Sequence, residues 1–434
     1  MSVGSYNPKD PLAKFFPCPD KDQLSIEHIR YTDTEIQQIA ELLRHIKITW
    51  SRVTRMYIVL RVINQLHLLD EFIDLGFTDH WLPVSPQQLP EFLSCTARED
   101  ILRAQSIVLT KATDFEKGED GQHRHFTRDE PLPFQTVSLL GSGGFGQVDK
   151  VINKLSDKEY ARKRIRREKL FRQTRESMKS FTTELEILKR LSHYHVVGIV
   201  GSYTDPNYLG LIMSPIADCD LAAFLSTEFR PAEKKGRLRT FFGCLATALA
   251  YLHDARVRHK DIKPQNILVK GDTVLLTDFG ISYSAAESGH STTEGVTAMT
   301  LRYCAPEVVK HEPRNSSSDV WSLGCVFVEI ITVLKDQTIQ SMREYFESHG
   351  SRGPFFSNNM EAAKEWFLML TATGSYFDNK PVQWAQNMLQ YDRDLRPKSR
   401  TLVETILSDH SNAEFCGSCC GQFPPRPKDE FYRS

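Results

Sequence analysis

The stretch Arg258-His259-Lys260-Asp261-Ile262-Lys263-Pro264-Gln265-Asn266 decides how this chain is read. It carries a carboxylate at 261, a lysine at 263 and an amide at 266. Two apolar runs follow, 267–269 and 274–276, around Gly271-Asp272. Apolar, turn, apolar is a hairpin pattern. A hairpin there sets Asn266 and Asp278 at adjacent strand ends, with Asp278-Phe279-Gly280 leaving the second strand. Working outward, GSGGFGQV occupies 141–148, Tyr160-Ala161-Arg162-Lys163 follows, then Glu184, and Ala305-Pro306-Glu307 lies downstream. A glycine-rich turn alone fits a hairpin without a ligand. Six motifs in one fixed order are a strong signal of phosphoryl-transfer chemistry.

In that order the motifs resemble those of the eukaryotic-type serine/threonine protein kinases, over residues 131–410. The resemblance implies an α+β, bilobal fold: a β-rich N-lobe at 131–213, a hinge at 214–217 and a helical C-lobe at 218–410. It implies ATP and Mg2+ as cofactors, and protein substrates bearing serine or threonine. Asp261 then accepts or orients the proton of the acceptor hydroxyl, which suits an ionised carboxylate because it only accepts hydrogen bonds. Lys263 neutralises the γ-phosphate as charge shifts. Asn266 and Asp278 are the implied magnesium ligands, hard oxygens for a hard cation.

The implied nucleotide contacts begin in the small lobe. Gly141, Gly143 and Gly146 let backbone N–H groups approach phosphate, between Leu140 and Val148, with Phe145 at the tip. Strand alternation puts Ala161 and Lys163 on one face and Arg162 and Arg164 on the other. Lys163 faces the phosphates and needs an orienting partner. Glu184 is that partner, four residues before the apolar Leu188, with Glu186 as the rival. The basic run 163–169 reads as a solvated strand end rather than a nucleic-acid surface, since no aromatic residue interleaves it. Met213 stands at the gatekeeper position. Ile216 follows in the hinge, where Pro215 removes one N–H donor. Asp220 is a candidate for the ribose hydroxyls or a helix cap beside Leu221, and Leu268 completes the adenine contacts. Glu307 is expected to pair with Arg396, and Asp319 to hold the catalytic-loop backbone.

Substrate class and regulation follow from the same likeness. A lysine two positions after the catalytic aspartate accompanies serine/threonine kinases, and Thr300 matches the threonine near their acceptor site. Ile281 leans toward threonine acceptors. Two positions depart from the pattern. Lys260 replaces an arginine that grips a phosphorylated loop bidentately, a grip lysine lacks. Met299 replaces a common glycine. The activation segment, 278–307, carries Ser282, Ser284, Ser288, Ser291, Thr292, Thr293, Thr297 and Thr300. It reads as a flexible loop or as a phosphorylation switch, with Thr292, Thr293 and Thr297 the favoured sites.

The 434 residues leave room for more than one domain. With 54 basic and 55 acidic side chains, no global field draws the chain to nucleic acid or anionic membrane. No nucleic-acid partner and no membrane span are expected. Ser2 argues against myristoylation, and no apolar leader opens the chain. The nine cysteines are an odd, scattered set, which points to free thiols in a reducing compartment, cytoplasmic or nuclear.

Residues 1–30 read as a mobile arm. A helical accessory region spans 31–115. Thr32 and Glu35 have capping-box spacing before Ile36, Ile39, Leu43 and Ile46. Further helices are expected over 51–69 and 91–112. The region either packs on the kinase lobe or binds a partner or restrains activity. Residues 116–130 read as a linker. C-lobe helices are expected over 237–254, 319–334, 362–371 and 381–390, after a small-lobe helix over 178–191. The segment 335–379 is long enough to carry a substrate or partner surface. A tail at 411–434 holds Cys416, Cys419 and Cys420. Three thiols with His410 at distance do not make a four-ligand zinc site, so surface thiols or a lipidated pair are expected.

Overall fold

A computed structural model describes residues 11–16, 30–109, 122–143, 146–168, 170–227, 231–279, 301–312, 315–353, 355–407 and 414–421. Its described residues divide into two compact units, one drawn from Met1–Leu185 with Ile199–Met213, the other from Glu186–Gly198 with Ser214–Ser434.

The first unit opens with helices. Helix α1 is Asp33–Ile46, and Thr32 caps it: its Oγ accepts from Glu35 N at 3.2 Å while the Glu35 carboxylate accepts from Thr32 N at 2.8 Å. The apolar spacing is answered by burial of Ile36, Ile39 and Leu43. Helix α2 (Thr54–Val62), buried almost all round, and α4 (Cys95–Ala104) are shorter than the expected 51–69 and 91–112, and a separate short helix, α3 (Leu69–Asp74), follows α2. Prolines between α3 and α4 hold loops and one-turn 3-10 segments there.

Part of the expected arm is seated. Leu12 is buried, Tyr31 donates to Phe15 O at 2.8 Å, and the Arg61 guanidinium lies 4.1 Å over the Phe16 ring. The expected linker also contains a strand, β1 (Gln122–His125). Its polar sequence concealed it. Arg124 reaches Asp33 at 3.1 Å, His123 reaches Ser202 Oγ at 2.9 Å, and His125 reaches Asp79 O at 3.0 Å.

Strands β2 (Phe134–Gly143), β3 (Gly146–Asn153), β4 (Glu159–Arg166), β5 (Gly198–Thr204) and β6 (Tyr208–Ser214) complete a six-stranded sheet in the order β1-β5-β6-β4-β3-β2. Strands β1 and β5 pair parallel, whereas β2–β3, β3–β4 and β4–β6 pair antiparallel. Phe126, Phe134, Val151, Tyr160, Val200, Tyr203 and Ile212 form one apolar cluster. Gly210 is required there, since a Cβ would lie 2.0 Å from the Tyr203 ring. Helix α5 (Phe171–Arg190) starts a turn or two earlier than its apolar pattern suggested. Phe171 packs its ring 5.2 Å from Trp81, which anchors the extra turns.

The second unit begins with the short strand β7 (Cys219–Asp220), helix α6 (Leu221–Ser226) and the long helix α7 (Pro231–Asp254). Strands β8 (Ile267–Lys270) and β9 (Thr273–Leu276) form the expected hairpin, Ile267 opposite Leu276, with Gly271 at φ +54° in the turn. Then come α8 (Pro306–Val309), α9 (Ser317–Leu334), α10 (Ile339–His349), α11 (Met360–Ala372), α12 (Lys380–Met388) and α13 (Ser399–Leu407). By length and composition α9 is apolar enough to cross a membrane, yet it is the buried central helix of this unit. The long 335–379 segment is largely helical, supplying α10 and α11. The tail's thiols are not surface groups throughout: Cys420 is buried against α7, and the Phe415 ring is fully buried beside Phe242, Phe377 and Trp384.

Candidate active site

In the first unit, the glycine-rich stretch joins β2 to β3. Gly141 faces Val148 and Gly143 faces Gly146 across the ladder, and the register shifts between Leu139 and Gly141. Gly146 holds φ +127°, and a Cβ there would fall 2.3 Å from Arg164 O, so no other residue fits this crossing. Phe145, at the tip, lies outside the described residues. Val148 faces Lys163, and Ala161 faces Met213. Leu140, on β2, remains exposed.

Lys163 is buried and donates to both Glu184 oxygens, at 2.9 and 3.1 Å. Its partner is thus Glu184 and not Glu186. Removing either member would strand a buried charge, at a cost of roughly 3–5 kcal/mol. Alternation sends Arg162 and Arg164 the other way, where both meet the buried Asp149 carboxylate at 3.2 and 2.7 Å. The basic run is therefore not simply solvated. Arg162 and Arg167 are as buried as Lys163.

In the second unit the catalytic loop folds about Asp261. Lys263 Nζ donates to Asp261 Oδ2 at 2.7 Å. Asn266 Nδ2 donates to Asp261 O at 2.8 Å and to Oδ2 at 2.9 Å. Those bonds use the amide protons and leave Asn266 Oδ1 as its remaining acceptor. Pro264–Asn266 forms a single 3-10 turn that enters β8. Thr277 N donates to Asn266 O at 3.1 Å, closing the hairpin one residue before Asp278, which adopts φ +58°. Asn266 and Asp278 thus offer hard oxygens at adjacent strand ends, a donor set that fits magnesium.

Polar groups beneath the loop fix it. Asp319 accepts from His259 N at 2.9 Å and Lys260 N at 2.8 Å, and His253 Nε2 lies 3.1 Å away. Burial pushes the Asp319 pKa up, but those donors outweigh it and hold the group below its ordinary value. Burial lowers the pKa of His259, whose Nε2 meets Thr277 O at 2.9 Å and whose ring lies 5.2 Å from Phe279. The motif alone gives His259 no role. It links the loop to the residue before Asp278. Glu307 and Arg396 form a bidentate buried pair at 2.7 and 2.9 Å, joined by Ser318 Oγ.

Of the remaining nucleotide candidates, Ile216 lies partly exposed after β6, and Leu268 faces Leu275 and Asp220 in the small sheet. Asp220 caps α6, its Oδ1 accepting from Ala223 N at 2.8 Å. The cap is an observed bond, whereas the ribose role rests on resemblance alone. Ile281, Met299, Thr300 and the serines and threonines from 282 to 297 lie outside the described residues.

Residues 134–407 match the family model of the protein kinase domain, and the chain belongs to that family, in its eukaryotic serine/threonine branch. It is 36% identical over 197 residues to the serine/threonine-protein kinase fused of Drosophila melanogaster, covering 45% of this chain and 24% of that one. It is 32% identical over 254 residues to an Aurora kinase of Yarrowia lipolytica, covering 55% and 65%. Against the serine/threonine-protein kinase nekl-2 of Caenorhabditis elegans it is 26% identical over 307 residues, covering 68% and 80%. The chain spans between 24% and 39% of the length of the first three relatives it matches.

Proposed function

We propose that this chain transfers the γ-phosphoryl group of ATP to serine and threonine hydroxyls of protein substrates, with magnesium. The observation that carries the reading is the Asp261 carboxylate, gripped by Lys263 and Asn266 in one loop. In this reading Asp261 positions the acceptor hydroxyl and takes its proton as the oxygen attacks phosphorus. Lys263 offsets the charge that builds on the transferred group, and is oriented for this by its bond to Asp261. Lys163, aligned by Glu184, holds the non-transferred phosphates. Magnesium, held by Asn266 Oδ1 and the Asp278 carboxylate, would screen the phosphate charges. Lys263, two positions after Asp261, supports serine and threonine over tyrosine.

The competing reading is a catalytically silent kinase fold that serves as a scaffold. The chain retains Lys163, Glu184, Asp261, Asn266 and Asp278, which disfavours silence. The deciding experiment measures phosphate transfer from ATP to a generic basic protein by the full chain and by Asp261→Ala. A positioned base contributes about 10²–10⁴-fold. Equal, slow transfer by both proteins selects the scaffold.

A further inference from the structure

Four metal-ligating side chains outside this site meet inside the second unit: His195, from the turn after α5; Cys244, on α7; and Cys419 and Cys420, from the tail. Their ligand atoms all lie within 4.8 Å of one another. Cys244 Sγ is 3.7 Å from Cys419 Sγ and 3.7 Å from Cys420 Sγ. A disulfide would hold two sulfurs about 2.05 Å apart. Two thiolates on one tetrahedral zinc, each about 2.3 Å from the metal, stand about 3.8 Å apart. The observed separations are those of shared coordination.

The histidine is set up for the same task. His195 is fully buried, and its Nδ1 donates to Val274 O at 2.9 Å. That bond places the ring proton on Nδ1 and leaves the Nε2 lone pair free. Nε2 is itself buried and meets no nitrogen or oxygen partner among the described residues. A carbonyl on the far nitrogen is the usual way a metal-bound imidazole is oriented.

The surroundings are built to admit the tail. Gly243 precedes Cys244, and a Cβ there would lie 2.7 Å from both Phe415 O and Cys416 Sγ. Glu414 meets Arg239 at 3.3 Å, and the buried Phe415 ring pins the segment one helical turn away. Gly417 passes just as closely, since its Cβ would fall 2.7 Å from Cys419 Sγ.

We propose that His195, Cys244, Cys419 and Cys420 hold a zinc ion in a closed, tetrahedral Cys3His site that fastens residues 414–421 and the His195 turn to α7. Thiolate and imidazole donors in a closed set select zinc over the hard magnesium of the catalytic loop. Binding releases the three thiol protons to solvent, so affinity rises with pH. The site reaches the chemistry through the backbone. Leu276 N donates to His195 O at 2.8 Å and Val197 N donates to Leu276 O at 3.0 Å, two residues before Asp278. The metal thus steadies the strand that presents Asp278.

The test is elemental analysis of the full chain, purified without a metal-affinity step. One zinc per chain is expected. Cys244→Ser and Cys420→Ser should fall below about a tenth of an equivalent, because a site short of a thiolate binds far more weakly. Cys95→Ser, an exposed thiol elsewhere, should keep its zinc. Should the serine variants fail to fold, cobalt exchange into the unaltered protein decides the matter. The expected spectrum has tetrahedral d–d bands and thiolate-to-cobalt charge transfer. A folded, zinc-free chain, a disulfide among Cys244, Cys419 and Cys420, or a cobalt form without thiolate bands would overturn the proposal.

Discussion

Arg167→Met tests how firmly the N-terminal helices are joined to the kinase sheet. Arg167 follows β4 directly and is buried. Its guanidinium donates to Trp81 O at 2.7 Å, to Pro83 O at 2.8 Å and to Asp205 O at 2.8 Å, with Gln88 Oε1 at 3.3 Å. Three of these acceptors belong to the accessory region and one to the loop between β5 and β6. Burial costs the charge something, lowering its pKa to about 10 against the pull of Asp205. Methionine keeps the unbranched stem as far as the position of Nε and removes that cost, but it leaves three buried carbonyls without their donor. Each orphaned group costs about 1–3 kcal/mol. Set against relief of about 3 kcal/mol, from a depression of roughly two and a half pKa steps, the net loss is about 3 kcal/mol.

For a unit of this size, about 1 kcal/mol moves the melting temperature by 2–4 °C, so a drop of about 6–12 °C is expected. The assay is differential scanning calorimetry of the full chain, read at the transition accompanied by the change in tryptophan fluorescence. Arg103→Met serves as the control, because its pairing with Asp100 is solvent-exposed and contributes within about 1 kcal/mol. Arg167→Lys should fall between, since a point charge with three donors cannot span all four acceptors. A variant Arg167→Met melting within about 2 °C of the parent would refute the reasoning.

Asp261→Asn should retain the parent's melting temperature within a few degrees while losing roughly 10²–10⁴-fold in kcat, measured as phosphate incorporation. Glu307→Gln breaks the bidentate pair with Arg396 and should cost about 3–5 kcal/mol in urea unfolding of the second unit. The pH dependence of the first unit contains two opposed contributions. Burial raises the Asp79 pKa from 3.8 to about 6, so its contribution to stability is full below pH 4 and is lost as pH rises through 6. Burial lowers the His125 pKa well below 6.5, so its contribution is present above 6.5 and is lost on acidification. In the parent the two offset one another. Asp79→Asn leaves His125 alone, so its melting temperature should fall more steeply from pH 6.5 to 4.5 than the parent's. Parallel pH profiles for the two proteins would count against both assignments.

The catalytic loop was legible in the sequence because its geometry is local. Asp261, Lys263 and Asn266 bond one another across five residues, and the β8–β9 hairpin carries Asp278 back by a short turn. The capping box at Thr32 was legible for the same reason. What stayed hidden is long-range and polar. Strand β1 reads Gln-His-Arg-His, a sequence with no apolar alternation, and is buried only because Asp33, Asp79 and Ser202 receive its side chains. Arg167 sits in a basic run and looks solvated until Trp81 and Pro83, more than eighty residues away, supply carbonyls. The tail's three cysteines lacked a fourth ligand when counted along the chain. Cys244 lies 175 residues before Cys419, and only the packing of Phe415 on α7 brings them together.

These hidden contacts bear on whether the N-terminal helices restrain the kinase or belong to it. A restraining module must leave at modest cost, since a switch is driven by only a few kcal/mol. Here departure would uncover the buried Trp81 and separate it from Phe171 at the start of the helix that bears Glu184. Fully burying one large apolar side chain is worth about 1.5–3 kcal/mol, which Trp81 stands to lose. Arg167 would lose its acceptors in the same event, and β1, fixed through Asp33 and Asp79, would lose its side-chain partners at the edge beside β5. These contacts weigh toward packing on the lobe rather than restraint. Trp81 packs on Phe171 at the start of α5, and His80 O accepts from Thr204 Oγ1 on β5 at 2.9 Å.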